Sequence, residues 1–297
     1  MHTQISIIFL VFCLFLAACQ PGEATLPPTV AVQPVDTPLP TATAAPVQPD
    51  PTLMANPIET PLPEGPVDAG WQETSEDGGE LTCGEYLLSN NTWGKGDLTG
   101  YSQSIGTSGE PGNCRFRWSW DWPRSSLTSV RAYPEIIFGW KPWSPASTTL
   151  SLPIQLSAIQ SIDVQLQFNA QAVGRYNSAF DLWLTSTNPP TDKTITREIM
   201  IWVGEAEMAP AGTKVASLEV AGVPYNLYKI QWDWTYLAFT QETSEPPAVI
   251  PVSDFLRYLV DNQHVQADEY LASIEFGNEI VYGTGETLVE QFIVKIK

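Results

Sequence analysis

From Leu81 to the C terminus, the chain is built of short segments in which apolar and polar residues alternate. Residues 162–168 and 180–184 follow this pattern, and glycine, proline, asparagine and serine separate one segment from the next. A period of two places successive side chains on opposite faces of a β-strand. Because such strands follow one another without an internal repeat, the pattern predicts an all-β fold of two antiparallel sheets, packed as a sandwich or jelly roll.

One predicted strand carries an unusual number of large rings. Within residues 115–122, Trp118, Trp120 and Trp122 share one face. Large aromatic residues at strand spacing usually belong to a core. We therefore expect two of the three tryptophans to be structural.

A different segment, residues 251–260, breaks the two-residue period. Apolar residues recur there at helical spacing between Phe255 and Val260, after Ser253, whose residue type is favoured at helix N-caps. We expect one short helix over about 252–262, packed on the convex side of the sandwich.

The start of the chain differs in composition from the rest. Residues 5–18 are almost wholly apolar, too short to span a membrane and of the right length for the core of a signal peptide. They end at Cys19, which follows Leu-Ala-Ala as in the lipidation site of bacterial lipoproteins. The sequence thus predicts a lipoprotein signal over residues 1–18. An ordinary secretory signal with an incidental cysteine is the alternative.

Residues 20–65 are rich in proline, threonine, alanine and valine and contain no aromatic residue. A segment of this composition buries too little surface to fold. All eleven tryptophans lie between Trp71 and Trp234, so the folded part begins after this segment. We therefore divide the remaining chain into a disordered tether at 19–65 and one β-domain at 66–297.

The charge and the histidine content exclude several classes of function. A net charge of −19 argues against a nucleic-acid partner, because the phosphate backbone would be repelled. After removal of the signal His264 is the one histidine left, so serine and cysteine triads lack their usual base. The sequence has no Cys-x-x-Cys motif or Cys/His cluster, and we expect neither a metal nor another cofactor. Any catalysis must therefore use carboxylates.

Two cysteines, Cys83 and Cys114, remain in the β-domain when the signal and the lipidation site are set aside. In an exported domain such a pair predicts one disulfide bond. The bond would close a loop of about thirty residues, which contributes roughly 3–4 kcal/mol in the chain-entropy model.

Residues 198–202 have the pattern of a buried strand that nevertheless contains a carboxylate. The two-residue period directs Glu198, Met200 and Trp202 to one face and the intervening isoleucines to the core. Such a face fills a core poorly, but it can hold a sugar ring. A second strand-like segment contributes Glu279. Two carboxylates on faces of this kind are the minimum required to cleave a glycosidic bond.

The identity of the second carboxylate is open at this point. Glu275 shares the predicted face of Glu279, and either could be solvated or could act on a substrate.

Six blocks of the sequence are similar, in the same order, to blocks of glycoside hydrolase family 12, whose members are small endoglucanases and xyloglucanases with a β-jelly-roll fold. Residues 198–202, Glu-Ile-Met-Ile-Trp, match the family's Glu-Leu-Met-Ile-Trp almost letter for letter. The other blocks are residues 90–94, 118–122, 130–135, 180–184 and 277–285. The resemblance implies a jelly roll with a concave substrate cleft over most of residues 83–297.

The same resemblance implies roles for individual residues. Glu198 would be the nucleophile and Glu279 the general acid/base of a retaining mechanism. Asp181 would be an assisting carboxylate, bonded to the nucleophile.

Four further residues are implied to bind substrate. These are Asn91 and Trp93 on the non-reducing side of the cleavage point, and Met200 and Trp202 near the reacting ring.

The resulting interpretation is an endo-acting, retaining β-1,4-glucanase that is lipid-anchored at the cell surface, or otherwise secreted. Its partner would be a β-glucan chain (cellulose, mixed-linkage glucan or xyloglucan), the N-terminal lipid would be its one contact with the membrane, and we expect a monomer. The alternatives are a xyloglucan-specific endoglucanase and a non-catalytic carbohydrate-binding jelly roll. Fold alone does not separate an enzyme from a binding module, but the carboxylate pair does, because a binding module has no need of it.

Overall fold

The computed structural model describes residues 70–126, 128–243 and 245–297. The predicted signal peptide, Cys19 and the predicted tether lie outside these residues. Within the described ranges, no helix is long and apolar enough to cross a membrane.

Most of the regular structure in these ranges is β-strand, and the all-β prediction is confirmed. In chain order the strands are β1 (Gln72–Thr74), β2 (Glu80–Cys83), β3 (Tyr86–Ser89), β4 (Ser102–Ser108), β5 (Arg115–Trp122), β6 (Glu135–Gly139), β7 (Ile154–Gln155), β8 (Ile162–Thr185), β9 (Ile195–Ala206), β10 (Thr213–Val220), β11 (Val223–Gln231), β12 (Thr235–Gln241), β13 (Val249–Ile250), β14 (Tyr270–Gly277) and β15 (Ile280–Ile296). One α-helix, α1, comprises Val252–Asp261, and short 3-10 helices comprise Trp93–Lys95, Leu156–Ala158 and Asp192–Thr194.

The long strand β8 belongs to two layers of sheet. Its first half pairs with β15, and this first layer continues through β5 and β4 to β1. Its second half pairs with β14 on one side and with β9 on the other. From β14 the second layer continues through β6 and β3 to β2, and from β9 it continues through β12 and β11 to β10. The predicted two-sheet jelly roll is confirmed, and the pairing of β9 with β12 is parallel within an otherwise antiparallel second layer.

Aromatic side chains fill the space between the two layers. Phe276 of β14 lies among them, with its ring centroid 5.0 Å from that of Phe180 and 5.1 Å from that of Phe168. Full burial of a phenylalanine side chain stabilises a fold by about 1.5–3 kcal/mol. This packing therefore fixes the positions of strands β8 and β14. The opposite faces of the same strands carry polar residues.

All three tryptophans of β5 are buried, which is one more than expected. The strand β5 lies in the first layer, so its inward side chains reach the core and not a surface of the second layer. Trp122 stacks on Tyr101 with 4.1 Å between ring centroids, and Trp118 donates its indole N–H to Asn278 at 2.7 Å. These side chains are structural.

The predicted helix is present as α1, and its end falls within one residue of the prediction. The expectation that Ser253 caps the helix is wrong, because the helix begins at the buried Val252 and Ser253 is buried in the first turn. Phe255 packs against Tyr225 and Phe239, each at 5.0 Å between ring centroids. The helix thus covers β11 and β12 on the side away from the cleft described below, in agreement with its expected position.

A disulfide bond joins Cys83, the last residue of β2, to Cys114, which precedes β5. The predicted pairing is confirmed. Because β2 belongs to the second layer and β5 to the first, the bond connects the two layers. The cysteines are 31 residues apart in the chain, a separation for which loop-closure entropy gives about 3–4 kcal/mol of stabilisation.

Candidate active site

The register of three strands in the second layer assembles a polar surface. Residues that lie opposite each other in neighbouring strands point to the same face. We call a row of residues that are paired across neighbouring strands a level. One level of this face carries Glu275 of β14, Asp181 of β8 and Met200 of β9. The adjoining level carries Trp183 opposite Glu198. Carboxylates from three separate segments of the sequence therefore meet on one face.

This face forms the floor of an open cavity of about 690 Å³. Six of the predicted site residues line the cavity: Asn91, Trp93, Asp181, Glu198, Met200 and Glu279. The arrangement fits the predicted concave cleft.

Trp202, the remaining predicted substrate-binding residue, does not line this cavity. It is 2% exposed and packs in a cluster with Met200, Tyr236 and Ala238. In the register Trp202 lies opposite Ala179, one level beyond Met200. Its indole therefore supports Met200 and the cleft floor instead of contacting a ligand in the cavity.

Glu198 is open to the cavity, but protein surrounds most of its carboxylate. The indole N–H of Trp234 donates to Glu198 Oε2 at 2.6 Å. Burial raises the pKa of Glu198 to about 8, while the Trp234 bond lowers it and the charge of Glu279 raises it. The Trp234 bond thus favours the ionised form of Glu198.

Glu279 lies in the short break between β14 and β15, where the two-residue period no longer applies. The buried Asn177 fixes both its backbone and its side chain. Asn177 donates its backbone N–H to the Glu279 carbonyl and accepts the Glu279 N–H on its side-chain oxygen, both at 3.0 Å. The Asn177 amide also donates to Glu279 Oε2. Burial raises the pKa of Glu279 to about 7, against the lowering effect of the Asn177 bond.

The two glutamates lie on opposite sides of the Asp181 level. Glu198 is opposite Trp183 on one side, and Glu279 follows Gly277, which is opposite Ala179 on the other. Each carboxylate therefore reaches the cavity from a different wall. Because their charges repel each other and burial disfavours both charges, the pair retains a proton at neutral pH.

Asp181 lies between them in the floor and is 6% exposed. Burial first, and the charge of Glu198 second, hold the pKa of Asp181 well above its usual range. Among the described residues, its Oδ1 atom has no hydrogen-bond partner. The structure brings Asp181 beside Glu198 without a hydrogen bond between them, because the two residues occupy adjoining levels of neighbouring strands.

The alternative carboxylate, Glu275, is completely buried and does not line the cavity. Its two oxygens accept from Lys141 at 2.8 Å and from Ser273 at 2.8 Å. A glutamate that is covered by Lys141 and completely buried has no access to a substrate. The structure therefore favours Glu279 over Glu275 as the second carboxylate.

Sequence reasoning missed several residues of the site, among them Asn177, Trp234 and Trp143. Asn177 and Trp234 each donate a hydrogen bond to a glutamate of the cavity, Glu279 and Glu198 respectively, through a contact between segments far apart in the chain. Trp143 lines the cavity and is 63% exposed. The sequence signal available for Trp143 was its position after Gly139 and Pro142, outside the alternating pattern.

Within the described ranges, no group of three or more histidine, cysteine, aspartate or glutamate residues is placed to hold a metal ion. The chemistry available in the cavity is that of its carboxylates, together with the hydrogen bonds and aromatic surfaces around them.

Comparison with known sequences identifies relatives over most of the chain. The family model described as Glycosyl hydrolase family 12 matches residues 84–297. Endoglucanase S of Pectobacterium parmentieri is 34% identical over 235 residues, which cover 75% of this chain and 87% of that protein. The xyloglucan-specific endo-beta-1,4-glucanase A of Aspergillus aculeatus is 29% identical over 224 residues, which cover 73% of this chain and 87% of that protein.

Comparison with solved structures gives the same result for the fold. A family 12 xyloglucanase from Bacillus licheniformis, solved in complex with a ligand, superposes with a TM-score of 0.69 at 29% sequence identity. The superposition covers 76% of this chain and 100% of that structure.

Proposed function

This chain belongs to glycosyl hydrolase family 12, and from that premise we propose that it is a retaining endo-β-1,4-glucanase with Glu198 as nucleophile and Glu279 as general acid/base. The observation that carries the proposal is the placement of these carboxylates on opposite walls of one open cavity, with Asp181 in the floor between them. A binding module of the same fold would have no need of such a pair.

In the first step, protonated Glu279 donates its proton to the glycosidic oxygen while ionised Glu198 attacks the anomeric carbon. The bond between that carbon and the leaving oxygen breaks, and a covalent glycosyl-enzyme forms. Trp234 supports this step because its N–H stabilises the negative charge on Glu198. Asn177 stabilises the carboxylate that Glu279 becomes once its proton has left.

In the second step, Glu279 acts as base and takes a proton from water, which attacks the anomeric carbon and releases Glu198. Burial and the neighbouring charge of Glu198 raise the pKa of Asp181, which favours the neutral form of Asp181 beside the nucleophile. A neutral Asp181 adds no repulsion to the site.

The substrate that we propose is a β-1,4-linked glucan chain, bound across the strands between Trp93 and Trp232, both of which line the cavity and are exposed. Xyloglucan is the second candidate, because several relatives are named as xyloglucan-specific enzymes.

The function is tested by incubating the protein with carboxymethyl cellulose, mixed-linkage β-glucan and xyloglucan. We expect new reducing ends and an early fall in viscosity with at least one of them, since cleavage within a chain shortens it quickly. Intact viscosity and no reducing ends with all three polymers would argue for the binding module instead.

The stereochemistry of the product is a further prediction. Two displacements each invert the anomeric carbon, so the first product should be the β-anomer. Proton NMR of cello-oligosaccharide cleavage, followed before mutarotation, measures this directly. An α-anomer appearing first would show that water attacks directly, and Glu198 would then be a base.

We propose also that Cys19 carries a lipid and that residues 19–65 tether a monomeric catalytic domain at the cell surface, for which the support is sequence alone. In a bacterial host, the full chain should partition into the detergent phase, and Cys19→Ser should partition into the aqueous phase. Equal partitioning of both forms would mean that Cys19 is not lipidated.

A further inference from the structure

The segment between β6 and β7 forms a tight loop beside the cleft floor, which we call the Trp143 loop (residues 140–148). Its base is closed by two hydrogen bonds between Gly139 and Thr148, each of 2.9 Å. Inside the loop, the indole of Trp140 donates to the carbonyl oxygen of Ser144 at 3.0 Å. The loop therefore has a defined shape.

Lys141 anchors this loop to the cleft floor. Its ammonium lies 3.0 Å from Glu135 Oε2 and 2.8 Å from Glu275 Oε2, and both glutamates are completely buried. Buried charges need partners, so moving Lys141 away would strand two carboxylates. Glu135 also accepts from the amide of Asn91 at 2.9 Å. The loop is thus linked through Glu135 to Asn91, another residue that lines the same cavity.

At the tip of the loop, Trp143 has two features that work against stability. Its side chain is 63% exposed, and its backbone φ is 67°, in the left-handed region that bulky residues rarely adopt. The carboxylate of Asp192 holds this conformation by accepting the Trp143 backbone N–H at 2.9 Å. Conformations of this kind are concentrated at functional sites, where the surrounding structure enforces them.

The indole of Trp143 lies close to the reacting carboxylate. Its ring centroid is 6.0 Å from that of Trp183 and 6.2 Å from that of Trp234, with ring planes inclined at 79° and 60°. Trp234 is the residue that donates to Glu198. Because Trp143 stacks flat on neither ring, most of its surface stays open to the cavity.

We propose that Trp143 is a substrate-binding residue that stacks on a glucosyl unit next to the cleaved bond, and that Asp192 is the positioning residue that holds it there. The inference rests on the proposed function. The ligand chemistry is the apolar C–H face of a β-linked glucose ring, which an exposed indole fixed in one orientation can cover without losing further conformational freedom.

The test is a double-mutant cycle on the full chain, with kcat and KM measured on cellopentaose. Trp143→Ala should raise KM about tenfold with kcat within about twofold, because stacking of this kind binds ground state and transition state alike. Asp192→Ala should raise KM by a smaller factor. Added to Trp143→Ala, it should have no further effect, since its action passes through the indole.

Two matched controls separate this role from a general structural one. Trp143→Phe keeps a flat ring and should recover most of the affinity, and Asp192→Asn keeps a side-chain acceptor and should behave as the wild type. A KM of Trp143→Ala equal to that of the wild type, or additive effects in the double variant, would overturn the inference while leaving the proposed function intact. Failure of the wild type itself to cleave cellopentaose would count against the proposed function instead.

Discussion

Glu198→Gln should lower kcat on β-glucan at least a thousandfold, which corresponds to more than about 4 kcal/mol in the activation barrier. Glutamine has nearly the same shape as glutamate, and its side-chain oxygen can still accept the Trp234 N–H. The fold should therefore persist, as thermal unfolding and circular dichroism would show. What is lost is the negative charge that attacks the anomeric carbon, and no neighbouring group replaces it from the same wall of the cavity.

The matched control for this variant is Glu205→Gln. Glu205 lies on the same strand, β9, but is exposed and does not line the catalytic cavity. Its variant should keep wild-type turnover. If Glu198→Gln kept more than about a tenth of the wild-type kcat, the loss would be under about 1.4 kcal/mol and the nucleophile would have to be another residue.

Glu279→Gln should reduce hydrolysis of β-glucan by about 10²- to 10⁴-fold, the usual contribution of a general acid/base. The defect should depend on the leaving group, because a sugar alcohol needs a proton and an acidic phenol does not. An aryl cellobioside with such a phenol should therefore still glycosylate Glu198, giving a burst of phenol followed by slow turnover. Added azide should restore turnover by attacking the glycosyl-enzyme in place of water.

The pH profile provides a second readout for Glu279. A general acid must be protonated, so wild-type activity should fall at alkaline pH, once the proton that burial retains on the pair Glu198 and Glu279 is lost. In Glu279→Gln, the burst rate should lack this alkaline decline. Glu198→Gln is the control, since it has no nucleophile and should give no burst. A burst of equal size in both variants would contradict the assignment of the two roles.

Local sequence was sufficient for features that depend on near neighbours in the chain. Alternation identified the strands because burial of one face imposes a period of two along each of them. The same rule placed Glu198 and Met200 on a common face, and in the structure both residues line the cavity. Cysteine content alone was sufficient to predict the pair Cys83 and Cys114, since no other thiol remained in the domain.

The local rules gave wrong or incomplete answers where contacts between distant segments determine the position of a residue. Ser253 was expected to cap the helix, but the helix begins at Val252 with Pro251 at the N-cap, two residues earlier than that cap would place it. The face shared by Glu275 and Glu279 could not separate them. The structure does, because Lys141 covers Glu275 on the floor of the cavity, whereas Glu279, beyond the end of β14 at Gly277, lines the cavity.

The sequence by itself thus determined the strand pattern, the disulfide partners and the family blocks that contain Glu198 and Glu279. The tertiary structure decided how those residues meet. Strand register places Asp181 between the two glutamates, and contacts from separate segments bring Asn177, Trp234 and Asp192 to Glu279, Glu198 and Trp143. The physical reason is that the pairing of strands far apart in the chain is set by packing of the whole core, and a shift of one residue would turn every side chain to the other face.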